Sequence, residues 1–154
     1  MPSHAGQIAF FGGHRQEGEE TPWIVAQREF EEETSLSCEV IEFLGYLPVV
    51  IIGKYQSIVP VVGELKMGVE EFLASAKSNG EWDEVLIYSW KELSMEDNWE
   101  FAWKYTPHKS PIFFHTIRAV NYVSQNGNED SHILWGATAS MIWSLLQRYY
   151  YNYP

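Results

Sequence analysis

The run Arg28-Glu29-Phe30-Glu31-Glu32-Glu33-Thr34 constrains this chain more than any other stretch. Thr21-Pro22 ahead of it supplies a capping hydroxyl and a proline suited to the first helical position, so a helix is predicted from there to about Thr34, with Trp23, Ala26 and Phe30 as its buried stripe. Offsets of three and four residues bring Glu29, Glu32 and Glu33 to one helix face, where carboxylates about 5–6 Å apart at Cβ repel one another unless a cation lies between them. A triple glutamate on an amphipathic helix is more commonly a solvated face. What sets this one apart is its company: the pair Gly12-Gly13 upstream, the Thr-Pro helix start, and Arg28 directly before the first carboxylate.

Those carboxylates suit a hard divalent ion, Mg2+ or Mn2+, with Glu29, Glu32 and Glu33 as its ligands. Arg28 reaches Glu32 four residues on and is better read as orienting a carboxylate than as touching substrate. Gly12 and Gly13 allow unusual dihedrals and close approach, so their amides can meet a phosphate or position the acidic helix. A cation held there could neutralise charge and orient a water for attack on an electron-rich centre.

Composition narrows the partner. With 154 residues, 45% of them hydrophobic and 20% charged, the chain suits one globular domain. A formal net charge of −11, from 21 acidic against 10 basic residues, disfavours a nucleic-acid partner but not a small phosphorylated ligand carried by divalent cations. Cys38 is the only cysteine, which excludes an internal disulfide and fits a reducing compartment; a small core residue is its default role. No charged leader and no apolar run of about 18 residues is present, so the expected address is the cytoplasm, away from membrane. The five histidines lack metal-ligand spacing.

Along the chain, Gln7 to Phe11 reads as a short strand and Gly12 to Gly18 as a glycine-bounded loop. Val40 to Gly45, Leu47 to Ile52 and Ser57 to Leu65 read as strands, Glu70 to Lys77 as a short helix, Glu84 to Trp90 as a further strand, and Leu134 to Tyr150 as a long helix. Such irregular alternation predicts an α+β fold, a mixed β-sheet sandwiched between α-helices. Trp82, Trp90, Trp99, Trp103 and Tyr105 are rich enough in ring area to favour core packing over base stacking.

The segment from Gly12 to Leu36 resembles the Nudix box, the signature of hydrolases acting on a nucleoside diphosphate linked to another group; Arg28, Glu29, Phe30, Glu31, Glu32 and Glu33 meet its core string. Three positions depart from the usual form. Fourteen residues separate Gly13 from Arg28, one more than usual, so the family's upstream glutamate falls at Glu20 counted from the helix or at Glu19 counted from the glycines. Ser35 replaces a glycine, and Phe11 replaces the proline ahead of the paired glycines. The longer spacer is shared with coenzyme A diphosphatases, and His4 to Gly13, Gly45 to Pro48, Val59 to Gly63 and Leu134 to Ala139 resemble segments of that subfamily in the same order.

The resemblance implies a single Nudix domain over 1–154 and hydrolysis of coenzyme A or acyl-CoA to adenosine 3′,5′-bisphosphate and phosphopantetheine or its acyl form. ADP-ribose, nucleotide sugars and nucleoside triphosphates are the same-class alternatives, and a catalytically weak nucleotide- or protein-binding Nudix module is the alternative of another class. Relatives carry N-terminal strands ahead of the point where this chain starts, so either the chain is truncated or it completes its sheet by pairing an exposed edge with a second copy, as a homodimer. Nudix enzymes draw their general base from the box or from a later loop, and Glu81 and Glu84 fall on such a loop. His14 and Arg15 are substrate-binding candidates from the box loop, and Lys54 a further phosphate-binding candidate; solvated charge is their default.

Overall fold

The computed structural model describes residues 7–52, 54–105, 111–124 and 129–151, with side chains at 7–52, 54–101 and 133–151. Residues 4–6 of the first resembling segment, the side chains of Trp103, Tyr105, His108, His115 and His132, and the last three residues of the tyrosine-rich tail lie outside them.

Helix α1 spans Pro22–Thr34, as predicted. Thr21 caps it by accepting from the Ile24 amide at 3.3 Å, and Ser35 ends it in a left-handed conformation, φ 61 and ψ 19, with its N–H on Glu31 O at 2.9 Å. Of the predicted stripe, Phe30 is buried, whereas Trp23 and Ala26 are half-buried; the Trp23 ring packs on Phe43, centroids 5.0 Å apart. Strands β1 (Ile41–Tyr46) and β4 (Val61–Leu65) pair antiparallel, with a register shift between Phe43 and Gly45. Between them β2 (Val50–Ile52) and β3 (Gln56–Ile58) form a separate hairpin.

The strand expected over Ser57 to Leu65 is thus two strands, broken where Pro60 offers no N–H to a ladder. Pro48 likewise delays the preceding strand to Val50, and the Leu47 amide donates instead to Pro60 O at 3.0 Å. Helix α2 (Val69–Ser75) matches the short helix predicted there. The strand expected over Glu84 to Trp90 contracts to β5 (Leu86–Ile87), because Ser89 caps helix α3 (Trp90–Ser94) by accepting from the Glu92 amide at 3.1 Å. No strand forms at Gln7 to Phe11; the Ile8 carbonyl accepts from the Thr138 hydroxyl at 2.9 Å, and Phe11 turns into an aromatic cluster.

Strands β6 (Trp99–Tyr105), β7 (Pro111–Ser124) and β8 (Glu129–Trp135) fill a stretch that has no clear period in the sequence. β7 is central, pairing antiparallel with β5, β6 and β8. Leu134 and Trp135 complete β8, so helix α4 starts at Gly136, whose φ of 61 turns the chain, and runs to Tyr149. Every pairing among the described residues is antiparallel, and the α+β class is borne out.

Two hydrophobic clusters result. One gathers Phe30, Phe72 and Ala76 with Phe11, Leu36, Val85 and Trp82 against α1; the other gathers Leu93, Leu134, Ala139, Ile142 and Leu146 with Ile8, Tyr88 and Trp99 against α4. The segment 8–11 joins both and leads directly into Gly12-Gly13. Among the described residues no helix is long and apolar enough to cross a membrane.

Candidate active site

Packing on the Phe30 cluster fixes how α1 turns its acidic face. Phe11 meets Phe30 edge-on at 6.0 Å and Trp82 at 6.2 Å, while Phe30 stacks on Phe72 at 6.3 Å. This chain of rings ties α1 and α2 to the glycine loop and to the segment that carries Glu81. Phe11, at a position where the box has proline, therefore serves as an anchor, and ring contacts of this geometry stabilise beyond the area they bury. The Trp82 indole also donates to the Glu33 carbonyl at 2.7 Å, joining its loop to the end of α1.

Arg28 is the hub of the charged face. Its Nε meets Glu19 Oε1 at 2.6 Å, its Nη1 meets Glu29 Oε1 at 2.8 Å and Glu32 Oε2 at 3.1 Å, and its Nη2 donates to the His14 carbonyl at 3.0 Å. Glu19 is buried and Glu20 exposed, so counting from the glycines finds the upstream glutamate of the box. The extra residue of the spacer lies between Glu19 and the helix. Glu19 also accepts from the Gln16 amide at 2.6 Å, and its carbonyl accepts from Arg15 Nε at 2.6 Å, which folds loop 14–19 around it. The Arg28 bond, then the Gln16 amide, hold the Glu19 carboxyl below its ordinary value, and Glu19 raises the Arg28 guanidinium in return.

The paired glycines contact the carboxylates directly. The Gly12 amide donates to Glu33 Oε2 at 2.9 Å, and Gly12 has a φ of +153. The Glu29 carboxylate lies against Gly13 so closely that a Cβ there would overlap it. At 12 the conformation favours glycine, and at 13 a Cβ would displace the far end of the Glu29 side chain.

Glu33 is buried, and its pKa is pushed up to about 7, first by burial and then by the charges of Glu29, Glu81 and Glu32, against the lowering effect of the Gly12 amide. Glu81 therefore stands within electrostatic reach of the box; it is exposed, and Asn79 Nδ2 donates to its Oε1 at 3.1 Å. Glu84 is half-buried. Glu31, the freely chosen position of the box, points away and accepts from the Cys38 amide at 2.8 Å. Cys38 is half-buried, with Gln27 Nε2 at 3.6 Å from its sulfur; burial, then Glu31, pushes the thiol up, so its character is structural.

His14 and Arg15 are exposed on the box loop, and Lys54 lies 5.2 Å from the Tyr55 ring on the β2–β3 turn. Among the described residues no three of the His, Cys, Asp and Glu side chains converge tightly enough to hold a metal. The cause is visible: Arg28 draws Glu29 and Glu32 to itself, and Gly12 holds Glu33. The donor set nonetheless fits a hard cation. Its oxygens are all carboxylate, and Glu33 is buried amid an excess of negative charge that such an ion would neutralise.

Sequence reasoning left two contributors without a role. Glu19 stood level with Glu20, and only the path of the loop separates them. Trp82 was legible as core, but its clamp on Glu33 O depends on a contact across 49 residues.

A family model described as the NUDIX domain matches residues 2–109. A protein of Klebsiella aerogenes described as an uncharacterized Nudix hydrolase, NudL, is 40% identical over 63 residues, which are 41% of this chain and 52% of that protein. The match thus spans about half the length of this curated relative.

Proposed function

Because the chain belongs to the NUDIX domain family, we propose that it is a divalent-metal-dependent hydrolase that cleaves the diphosphate bond of a nucleoside diphosphate linked to another group. The observation that carries this reading is Arg28, whose one guanidinium joins Glu19, Glu29 and Glu32 while the glycine loop takes up Glu33 and Glu29. A solvated acidic face has no need of such order.

Glu29, Glu32 and Glu33 would hold Mg2+ or Mn2+, which supplies neutralisation of the phosphates and acidification of a bound water. Arg28 and the Gly12 amide orient those carboxylates, as partners behind metal ligands do. Glu81 takes the water proton, in an orientation set by Asn79; Glu84 is the second candidate for that role. Gly12, Gly13, His14 and Arg15 line the exposed loop along which the phosphates lie; with the Gly12 amide committed to Glu33, the amides of Gly13 and His14 and the Arg15 cation are the groups it offers them.

The finer reading is coenzyme A or acyl-CoA as substrate, giving adenosine 3′,5′-bisphosphate and phosphopantetheine or its acyl form. It rests on the longer spacer and the four flanking segments, which are joined two by two in space. Thr138 bonds Ile8 at 2.9 Å, linking the first and last segments, and Leu47 bonds Pro60 at 3.0 Å, linking the middle two. Incubation of the protein with Mg2+ or Mn2+ and coenzyme A should release adenosine 3′,5′-bisphosphate. Cleavage of ADP-ribose, a nucleotide sugar or a nucleoside triphosphate in its place overturns the substrate, and binding of all of these without cleavage overturns the hydrolase.

A further inference from the structure

The C-terminal end of α1 holds a loop as well as the acidic face. The last carbonyls of a helix have no partner within it. Here Glu31 O accepts from the Ser35 amide at 2.9 Å, Thr34 O from the Lys77 amide at 2.8 Å, and Glu33 O from the Trp82 indole at 2.7 Å. Segment 77–82 therefore leaves from one carbonyl at the end of α1 and returns to the carbonyl beside it.

Between those two anchors the segment is folded on itself. The Ser78 hydroxyl donates to Trp82 O at 2.6 Å and accepts from the Gly80 amide at 3.0 Å, and Gly80 has a φ of +99. Asn79 meets Glu81 twice: its Nδ2 donates to Glu81 Oε1 at 3.1 Å, and its Oδ1 accepts from the Glu81 amide at 3.0 Å. Residues 77–81 are all exposed, so burial of their side chains contributes little to their order. Trp82, next in the chain, is half-buried and packs into the Phe30 cluster, where its ring meets Phe11 at 6.2 Å.

A closed circuit results. Phe11 precedes Gly12, the Gly12 amide holds the Glu33 carboxylate at 2.9 Å, and the Trp82 indole holds the carbonyl of that same residue. Glu33 is thus fixed at both ends by two residues that are themselves linked through Phe11. Directly before Trp82 stands Glu81, whose charge, after burial and Glu29, raises the Glu33 carboxyl. We propose that Trp82 is a positioning residue, whose bond to the Glu33 carbonyl fixes where the Glu81 carboxylate stands before the acidic face of α1. The inference rests on the hydrolase reading, in which Glu81 takes the water proton. A ring without an N–H would fill the cluster but leave the exposed loop end free to shift, and a displacement of about 1 Å at a reacting group costs up to about 10²-fold in rate.

Trp82→Phe keeps a ring against Phe11 and deletes the bond, which separates packing from position. Turnover should fall about 10–100-fold at unchanged KM. Glu81→Gln should lower the turnover of the parent about 10²-fold, but should cost less than about tenfold in the Trp82→Phe background, because the carboxylate has already left its place. Position is also read without turnover. Bound Mn2+ broadens the amide signals of nearby residues steeply with distance, so broadening at Glu81 should be several-fold weaker in Trp82→Phe, while that at Lys77, anchored separately on Thr34 O, stays as in the parent. Where phenylalanine upsets folding, 3-benzothienylalanine at 82, which has the shape of tryptophan with sulfur in place of the N–H, serves for the same comparison. Additive losses from the two substitutions, or unchanged broadening at Glu81, would overturn the proposal. A parent that cleaves no diphosphate yet shows the change in broadening would overturn the hydrolase reading and uphold the placement of Glu81; a parent that binds no Mn2+ would overturn both.

Discussion

At the acidic helix a single guanidinium, Arg28, is shared among Glu19, Glu29 and Glu32, whereas beside α4 a single carboxylate, Glu96, stands before four aromatic side chains. The first region collects like charge and holds it with hydrogen bonds from a loop; the second collects ring faces and, among the described residues, leaves one charge at the rim. Each is rigid for a different reason. Around Arg28, order comes from directional bonds of 2.6–3.1 Å, which misplace readily when one partner changes. Around Trp143 it comes from edge-to-face packing, which tolerates polar change nearby but not loss of a ring. Perturbations of charge should therefore be felt at α1 and perturbations of shape at α4.

The largest effect that would sharpen this contrast is expected from Glu33→Gln. Hydrolysis should fall on the order of 10²–10³-fold; a variant that keeps its turnover breaks the metal-ligand assignment. Arg28→Lys comes next. It keeps the charge but cannot serve Glu19, Glu29, Glu32 and the His14 carbonyl together, so turnover should fall about 10–100-fold, as for partners behind metal ligands. Restoration of the parent rate by lysine would show that charge alone suffices there.

A pH series on the metal-free protein follows. Glu33 is raised from 4.5 to about 7 in the fold, so between these values the native state binds more protons than the unfolded chain. Its contribution to stability therefore declines as pH rises from 4.5 to about 7. The melting temperature should carry this decline, Glu33→Gln should remove it, and Mg2+ should flatten it. A slope shared equally by parent and variant would place its source elsewhere. Smallest is Ser35→Gly: with φ at 61, serine is strained where glycine is at ease, and the change should add about 0.5–1 kcal/mol to unfolding free energy in denaturant melts.

What the sequence makes legible divides along the same line. The start of helix α1 is readable because Thr21 and Pro22 act locally, through a cap and a preset φ, and its end is placed at about Thr34, where Ser35 turns out left-handed. The acidic face follows from helical spacing alone. Glu19 does not, because its burial depends on how loop 14–19 folds back through Gln16 and Arg15. The expected strand at Gln7 to Phe11 fails for a related reason: alternation of side chains signals a strand only where a neighbour supplies a ladder, and here Thr138 takes the Ile8 carbonyl. In β6 to β8, bulky residues occur on successive positions and erase the period on which strand reading relies. The cluster of Trp99, Phe101 and Trp143 is not legible there, since it joins residues more than 40 positions apart.

The close approach of Glu29 to Gly13 links the loop to the charge network. The carboxylate occupies the volume in which any other residue at 13 would place its first carbon, so a substitution there pushes the flexible end of the Glu29 side chain aside, away from the bond it makes with Arg28.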